Sequence, residues 1–173
     1  SGQSGTPTGN YVDLVRIGSG AFQGTLTAAT TSISSALEPV PFTTVTENSL
    51  LLIDSTYFTN SSGNITINAN GYYTISFQGL GSHQATSGGI SIDYSIKKIR
   101  SGVSTTVSFG RTNHFAAVDL IVGSQSIFLK KMVHCLAGDI IKISASVSTG
   151  ASATAVLIGN SNATNLLIQK EDY

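Results

Sequence analysis

Three histidines, one cysteine and a few aspartates are the side chains of this sequence with the greatest capacity for chemistry. The histidines are His83, His114 and His134, and no two of them have the H-x-x-x-H spacing of a metal site. Cys135 follows His134 directly. Because neighbours on a strand point to opposite faces, this pair cannot form a thiolate–imidazole couple. The sequence therefore predicts no catalytic residues.

The aspartates do not form a metal-binding pattern either. Asp54, Asp93, Asp119 and Asp139 are far apart, and no D-x-D-x-D-G loop occurs. Asp139 follows Gly138, a pair typical of turns, so we expect its carboxylate to stabilise a turn. The sequence predicts neither a metal nor a cofactor.

The surface of this protein must be poor in charge. Charged residues make up 10% of the 173 residues, against about 25% in ordinary soluble domains. Hydrophobic residues reach 40%, and the remaining polarity comes from Ser, Thr, Asn and Gly. This composition favours an extracellular, cell-surface or virion-surface protein, or a protomer whose flanks are covered in an oligomer. The two interpretations are compatible.

Several partners are disfavoured by the same residues. The basic side chains cluster only at Lys97-Lys98-Arg100 and at Lys130-Lys131, whereas a nucleic-acid interface needs a concentrated basic face. No apolar run approaches 18 residues, so no membrane insertion is expected. A single cysteine excludes an intrachain disulfide.

The elements that position these side chains are predicted to be strands. Between Tyr57 and Gly79 apolar residues alternate with hydroxyl and amide residues on both sides of Asn70-Gly71, a pattern that predicts a β-hairpin. Similar runs predict further strands at 21–26, 42–45, 90–97, 103–109, 126–136, 140–147, 153–158 and 165–169. The run 126–136 has apolar residues on both faces, as expected for a strand between a core and a partner. About eight to ten short strands without helical patterns indicate one all-β domain, a sandwich or a barrel.

Three predicted loops are the places where we expect ligand recognition. They are 79–89, 111–117 and 159–164, and they combine small residues with amide, His and Arg side chains suited to hydrogen bonding. The candidate receptor-binding residues are Ser82, His83, Gln84, Arg111, Asn113, His114, Asn160 and Asn162. Residues 1–16 are interpreted as a linker, a stalk end or an expression scar, and 17–173 as the folded domain. Glycosylation sequons begin at Asn60, Asn64 and Asn162, as chance alone would produce in such a composition.

Five short motifs, taken in order, resemble the C1q/TNF-like jelly-roll family over residues 20–170. They are Ala21-Phe22 to Leu26; Pro39-Val40-Pro41-Phe42; Tyr57, Gly63 and Gly71-Tyr72-Tyr73-Thr74-Ile75-Ser76-Phe77; Cys135-Leu136-Ala137-Gly138-Asp139-Ile140-Ile141; and Asn165-Leu166-Leu167-Ile168-Gln169. Ile75 stands where the family usually has an aromatic residue. The loops are also richer in Ser, Thr and Asn than the charged loops of the vertebrate branch, which favours a microbial or viral branch.

The resemblance implies an antiparallel two-sheet jelly-roll sandwich of about ten strands that assembles as a homotrimer. The residues expected at the trimer interface are Phe128, Met132, Tyr73 and Phe77. The implied function is a non-enzymatic head domain at the tip of a viral, phage or bacterial surface fibre, which binds a cell-surface receptor or glycan. The alternatives are a structural trimerisation module of a capsid, spore surface or fibre, and a secreted C1q/TNF-like ligand.

Overall fold

The computed structural model describes residues 20–26, 28–33, 37–47, 50–51, 53–85, 88–116, 121–148, 153–159 and 163–171. The predicted linker, residues 1–16, lies outside these ranges, as do the candidate site residues Asn160 and Asn162.

The described ranges contain fourteen β-strands and no helix, as the alternating patterns predict. The strands are β1 Ala21–Thr25, β2 Thr30–Ile33, β3 Thr43–Thr44, β4 Thr46–Glu47, β5 Leu50–Leu51, β6 Phe58–Ser61, β7 Asn64–Ile67, β8 Gly71–Ala85, β9 Gly88–Arg100, β10 Val103–Ala116, β11 Ile121–Cys135, β12 Ile140–Ser148, β13 Ala153–Ile158 and β14 Asn165–Lys170. In this part of the chain there is consequently no helix that could cross a membrane.

The first sheet has seven strands and is centred on β8. Along one edge of β8, β11 pairs with its whole length, from Gly71 opposite Cys135 to Ala85 opposite Ile121. Along the other edge, β14 pairs with residues 73–78 and β13 with residues 81–85. β1 and β3 continue the sheet beyond β14, and β2 continues it beyond β13.

The second sheet has five strands in the order β10-β9-β12-β7-β6. β9 and β10 form the predicted antiparallel pair, which runs from Arg100 opposite Val103 to Gly88 opposite Ala116 and contains a bulge between Thr106 and Ser108. All pairings in both sheets are antiparallel. The molecule is therefore an all-β, two-sheet antiparallel sandwich, as predicted.

The core lies between the two sheets, where alternate residues of each strand meet. Ile90, Ile92, Tyr94 and Ile96 of β9 are buried on the predicted face, opposite Tyr73, Ile75 and Phe77 of β8. Ile141, Ile143 and Ala145 of β12 are buried with them, and Val147 packs at the margin. The period of two residues in the sequence thus identifies the inner faces correctly.

The predicted hairpin at Asn70-Gly71 is wrong. β7 and β8 are both strands, but β7 pairs with β6 and β12 in the five-stranded sheet, whereas β8 lies in the seven-stranded sheet. Residues 68–70 are a crossing between the sheets, and the Asn70 side chain accepts a hydrogen bond from the Ala137 N–H (2.8 Å) in the β11–β12 turn. Two strands that each have one apolar face can bury these faces by pairing in one sheet or by packing against each other from two facing sheets. The sequence pattern is the same in both arrangements.

The predicted loop at 79–89 is also wrong, because β8 continues to Ala85 and β9 begins at Gly88. Gly79 and Gly81 suggested a loop, but they are strand residues against which aromatic rings lie. A Cβ on Gly79 would be 2.6 Å from the Phe77 ring, and one on Gly81 would be 2.3 Å from the Tyr94 hydroxyl oxygen. These glycines allow close approach of the backbone to the core.

The two ends of the sandwich differ. The chain passes from Gly20 into β1 and leaves β14 at Glu171 at one end, where the Lys170 N–H donates to the Gly20 carbonyl (2.8 Å). We call this the terminal end; it also carries the turns 68–70, 101–102 and 136–139. The opposite, distal end is where β8, β10 and β12 finish and where β9, β11 and β13 begin.

Candidate interaction surfaces

The outward face of the seven-stranded sheet carries exposed apolar side chains. Since Tyr73, Ile75 and Phe77 point inward, the even-numbered residues of β8 and their partners point outward. On β11, Phe128 lies opposite Gln78 and Met132 opposite Thr74; on β14, Leu167 lies opposite Ser76. Phe128 is 62% exposed and Met132 46%. We call this surface, formed by the outward residues of β8, β11 and β14, the β11 face.

The polar side chains of the β11 face are almost all uncharged. Thr74, Ser76 and Gln78 separate the apolar residues, and Lys130 is the charged residue between Phe128 and Met132. Toward the terminal end the face is closed by Tyr72 and His134, whose rings lie 5.0 Å apart. Apolar residues set among neutral polar ones, with few charges, are typical of surfaces that other proteins cover.

Two residues predicted for the trimer interface do not belong to it. Tyr73 and Phe77 have no exposed surface. The Tyr73 ring packs edge-on against Phe58 (5.7 Å), and its hydroxyl donates to the Ala69 carbonyl (2.6 Å). The Phe77 ring packs against Phe42 (6.2 Å). The prediction that Tyr73 and Phe77 contact a partner is wrong. Their side chains point into the core, whereas those of Phe128 and Met132 point to the outer face of the same sheet.

The first group of predicted receptor-binding residues lies in β8 instead of a loop. Ser82 is partly exposed and pairs with Ser124 of β11 on one side and with Val156 of β13 on the other. Val156 in turn pairs with Ser32 of β2. His83 and Gln84 follow in the same strand, opposite Ala155 and Thr154. Ser82 therefore belongs to the seven-stranded sheet.

The second group lies in β10, an edge strand of the other sheet. Arg111, Asn113 and His114 pair with Asp93, Ser91 and Ile90 of β9. The structure thus brings Arg111 and Asn113 together, but it separates them from Ser82 by the thickness of the sandwich. The assignment of all these residues to loops is wrong, because the amide-rich and hydroxyl-rich stretches continue the strands.

Arg111 and Asn113 form a polar cluster with residues that the sequence analysis did not select. The Arg111 Nη2 donates to Asp93 Oδ2 (2.9 Å), and its Nε donates to the other carboxylate oxygen. The guanidinium carbon lies 5.9 Å from the centre of the Phe109 ring. The Ser91 hydroxyl donates to Asn113 Oδ1 (2.8 Å), and Gln125 Nε2 donates to the Asn113 carbonyl (3.3 Å). The hydrogen bonds to Asp93 raise the pKa of Arg111 above its ordinary value.

The basic side chains of the Lys97-Lys98-Arg100 cluster all have polar partners. Glu38 accepts from Lys97 and Lys142. Burial raises the pKa of Glu38, but the two ammonium groups outweigh it and lower the pKa to about 2. Arg100 donates to Asp139, and Lys98 Nζ donates to the His134 carbonyl (3.2 Å).

The His134–Cys135 pair is placed as the strand argument predicts. His134 is exposed beside Tyr72, and Cys135 is buried in the core. Burial raises the pKa of the Cys135 thiol to about 11, so it is protonated at neutral pH. Across the described ranges, no three His, Cys, Asp or Glu side chains are grouped as metal ligands would be.

The fold and its two faces define an antiparallel jelly-roll sandwich of the TNF-like kind. The sequence matches no protein-family model and no curated protein. Solved structures similar to it include murine APRIL at pH 5.0, with a TM-score of 0.63 and 15% identity over 87% of this chain and 98% of that one. Eiger TNF from S. frugiperda is similar with a TM-score of 0.61 and 12% identity, over 88% and 92% of the two chains. At such identities the similarity shows the TNF-like jelly-roll fold.

Proposed function

We propose that this chain is the non-enzymatic head domain of a homotrimer that acts outside the cell. It binds a receptor or glycan on a cell surface, and it does so at the tip of a viral, phage or bacterial fibre. Its contribution is multivalency, since three weak sites on one rigid head gain avidity on a target that presents repeated ligands.

The observation that carries this proposal is the β11 face. Phe128, Met132 and Leu167 are exposed on one sheet face with neutral polar neighbours. Two further copies of the chain are the occupants that the TNF-like fold favours. Covering such faces would also remove apolar surface from water in a chain with only 10% charged residues.

The positions of Gly20 and Glu171 support a fibre tip. Gly20 and Glu171 are both at the terminal end, beside Tyr72 and Tyr73 of β8. From Tyr73 to Ala85 at the distal end, β8 extends about 40 Å at the usual rise of a strand. A stalk that joined the domain through residues 1–19 would therefore leave the distal end pointing away from it.

A secreted TNF-like ligand is the second candidate function. The observation that favours it is the similarity to murine APRIL and to Eiger TNF. It shares the trimer and the receptor-binding role with the first candidate and differs in having no fibre.

Light scattering and cell binding test the proposal together. We expect a particle of three times the 17.9 kDa of one chain, and binding to cells that weakens at least about tenfold when the trimer is dissociated, because avidity is lost. A monodisperse monomer at micromolar concentration would contradict the trimer. A stable trimer that binds no cell, tissue or glycan would leave a structural trimerisation module as the function.

A further inference from the structure

We propose that the outward face of β9 and β10 is a binding site for a neutral sugar residue. This inference rests on the proposed receptor-binding role and names the chemical class of the ligand. The site consists of Phe109, Arg111, Asn113, Asp93 and Ser91, and we call it the Phe109 site.

The Phe109 site lies on the outer side of the five-stranded sheet. Gly110 faces Ile127 and Leu129 across the core, and Thr112 is buried. Phe109, Arg111 and Asn113 therefore point outward. On β9 the inward positions are Ile92 and Tyr94, which places Ser91 and Asp93 on the same outer surface.

The cross-strand neighbours of Phe109 have short side chains. Phe109 is 57% exposed. It pairs with Ser95 of β9, which pairs with Ser144 of β12, and both serines are small and buried. The next row is Arg111, Asp93 and Ser146. One exposed ring beside hydroxyl groups matches a sugar ring, which has a small apolar face of C–H groups and a rim of hydroxyls.

The polar groups are held in fixed directions by their own contacts. Arg111 and Asp93 form a two-point ion pair, and Ser91 orients Asn113. This leaves the amino group of Asn113 and part of the Arg111 guanidinium as donors, and the Asp93 carboxylate as an acceptor with further lone pairs. Planar groups of this kind can contact two adjacent hydroxyls at once.

The charge of the Phe109 site selects a neutral ligand. Asp93 cancels Arg111, and in the rows of Phe109, Arg111 and Asn113 the other described side chains are uncharged. Nothing in these three rows would compensate a sialic acid, a sulfate or a phosphate, and Lys97 in the next row is already paired with Glu38. A protein partner would need a wider apolar centre than one phenyl ring.

The test uses the purified chain on an array of oligosaccharides that end in galactose, glucose, mannose or an N-acetylhexosamine, with sialylated and sulfated counterparts. We expect binding to a subset of the neutral oligosaccharides. Phe109→Ala should weaken this binding at least about tenfold, because the aromatic contact is lost. Asp93→Asn should weaken it as well and shift the preference toward sialylated chains, because Arg111 is then uncompensated.

Val103→Ala is the matched control, since Val103 is also an exposed apolar residue of β10 but lies at its opposite end. It should bind as the unchanged chain does. Circular dichroism checks that each variant is folded. If Phe109→Ala does not fold, Arg111→Lys replaces it, because it keeps the charge but loses the two-point contacts.

The outcomes separate this inference from the proposed function. Equal binding by Phe109→Ala, preference for acidic glycans, or binding to cells that survives removal of glycans would each overturn the Phe109 site while leaving receptor binding intact. Light scattering could show a monomer whose binding to neutral glycans still depends on Phe109. That result would support the Phe109 site and contradict the trimer.

Discussion

Arg100 and Asp139 join the end of β9 to the β11–β12 turn. Asp139 accepts from Arg100 Nε (2.9 Å) and Nη2 (2.6 Å) and from the Leu136 N–H (2.9 Å), and its side chain is 3% exposed. The hydrogen bonds from Arg100 lower the pKa of Asp139 below its ordinary value. The sequence pattern predicted a turn-stabilising role for Asp139, which the Leu136 contact confirms, but it did not indicate Arg100.

Asp139→Asn should destabilise the protein by about 2 kcal/mol, since it replaces charge-assisted hydrogen bonds of a buried carboxylate. Urea unfolding followed by circular dichroism measures the change. Asp93→Asn is the control, because its partner Arg111 is more exposed than Arg100. We expect a loss below about 1 kcal/mol there. Equal losses in the two variants would show that the burial of Asp139 does not matter.

Stability should fall in acid because the pKa values of Glu38 and Asp139 are lowered on folding. The unfolded chain binds these protons near pH 4, whereas folded Glu38 binds its proton only near pH 2. The stabilisation is therefore fully present above about pH 4 and is lost as the pH falls through the folded pKa values. Unfolding free energies at pH 6, 4 and 2.5 measure this loss.

Glu38→Gln tests the contribution of that residue to the acid response. The variant should be less stable than the unchanged chain at pH 6, since Lys97 and Lys142 lose their carboxylate. The difference should shrink below pH 4. A difference that stays constant down to pH 2.5 would argue against the ion pairs as its cause.

Gly81→Ala should cost about 1–3 kcal/mol, because the new methyl group would overlap the Tyr94 hydroxyl on the facing sheet. That hydroxyl is buried and has no well-aligned hydrogen-bond partner in the described part of the chain. Tyr94→Phe alone should therefore change stability by less than about 1 kcal/mol. In the double variant, much of the cost of Gly81→Ala should disappear, as a double-mutant cycle would reveal. Strictly additive losses would contradict the contact.

Phe128→Glu and Met132→Glu should convert the proposed trimer to monomers. Each places a charge on the β11 face, and burying it against a sister copy costs about 2 kcal/mol or more. Both residues are exposed, so the fold of the single chain should be unaffected. Light scattering measures the mass, and Val103→Glu, with Val103 67% exposed on the other sheet, is the control. A trimer that survives both substitutions would place its interface elsewhere.

The alternation of apolar and polar residues predicted most of the strands and the inner faces of the strands it predicted. Ile90, Ile92, Tyr94 and Ile96 share one side of β9 because successive side chains on any strand point to opposite faces. The same local rule separates exposed Met132 from buried Val133, and His134 from Cys135. Five ordered motifs also predicted the correct jelly-roll fold at an identity of 15% or less to the solved structures described above.

Tertiary structure alone decided which strands are neighbours. β7 and β8 follow each other in the chain yet lie in different sheets, and Gly79 and Gly81 continue a strand because aromatic rings lie against them. The contact of Arg111 with Asp93, which completes the Phe109 site, likewise depends on the register of β9 with β10. The face to which a side chain points follows from the geometry of its own backbone, whereas the partner of a strand depends on contacts between residues far apart in sequence. A local pattern therefore encodes the first, and only the packing of the whole chain determines the second.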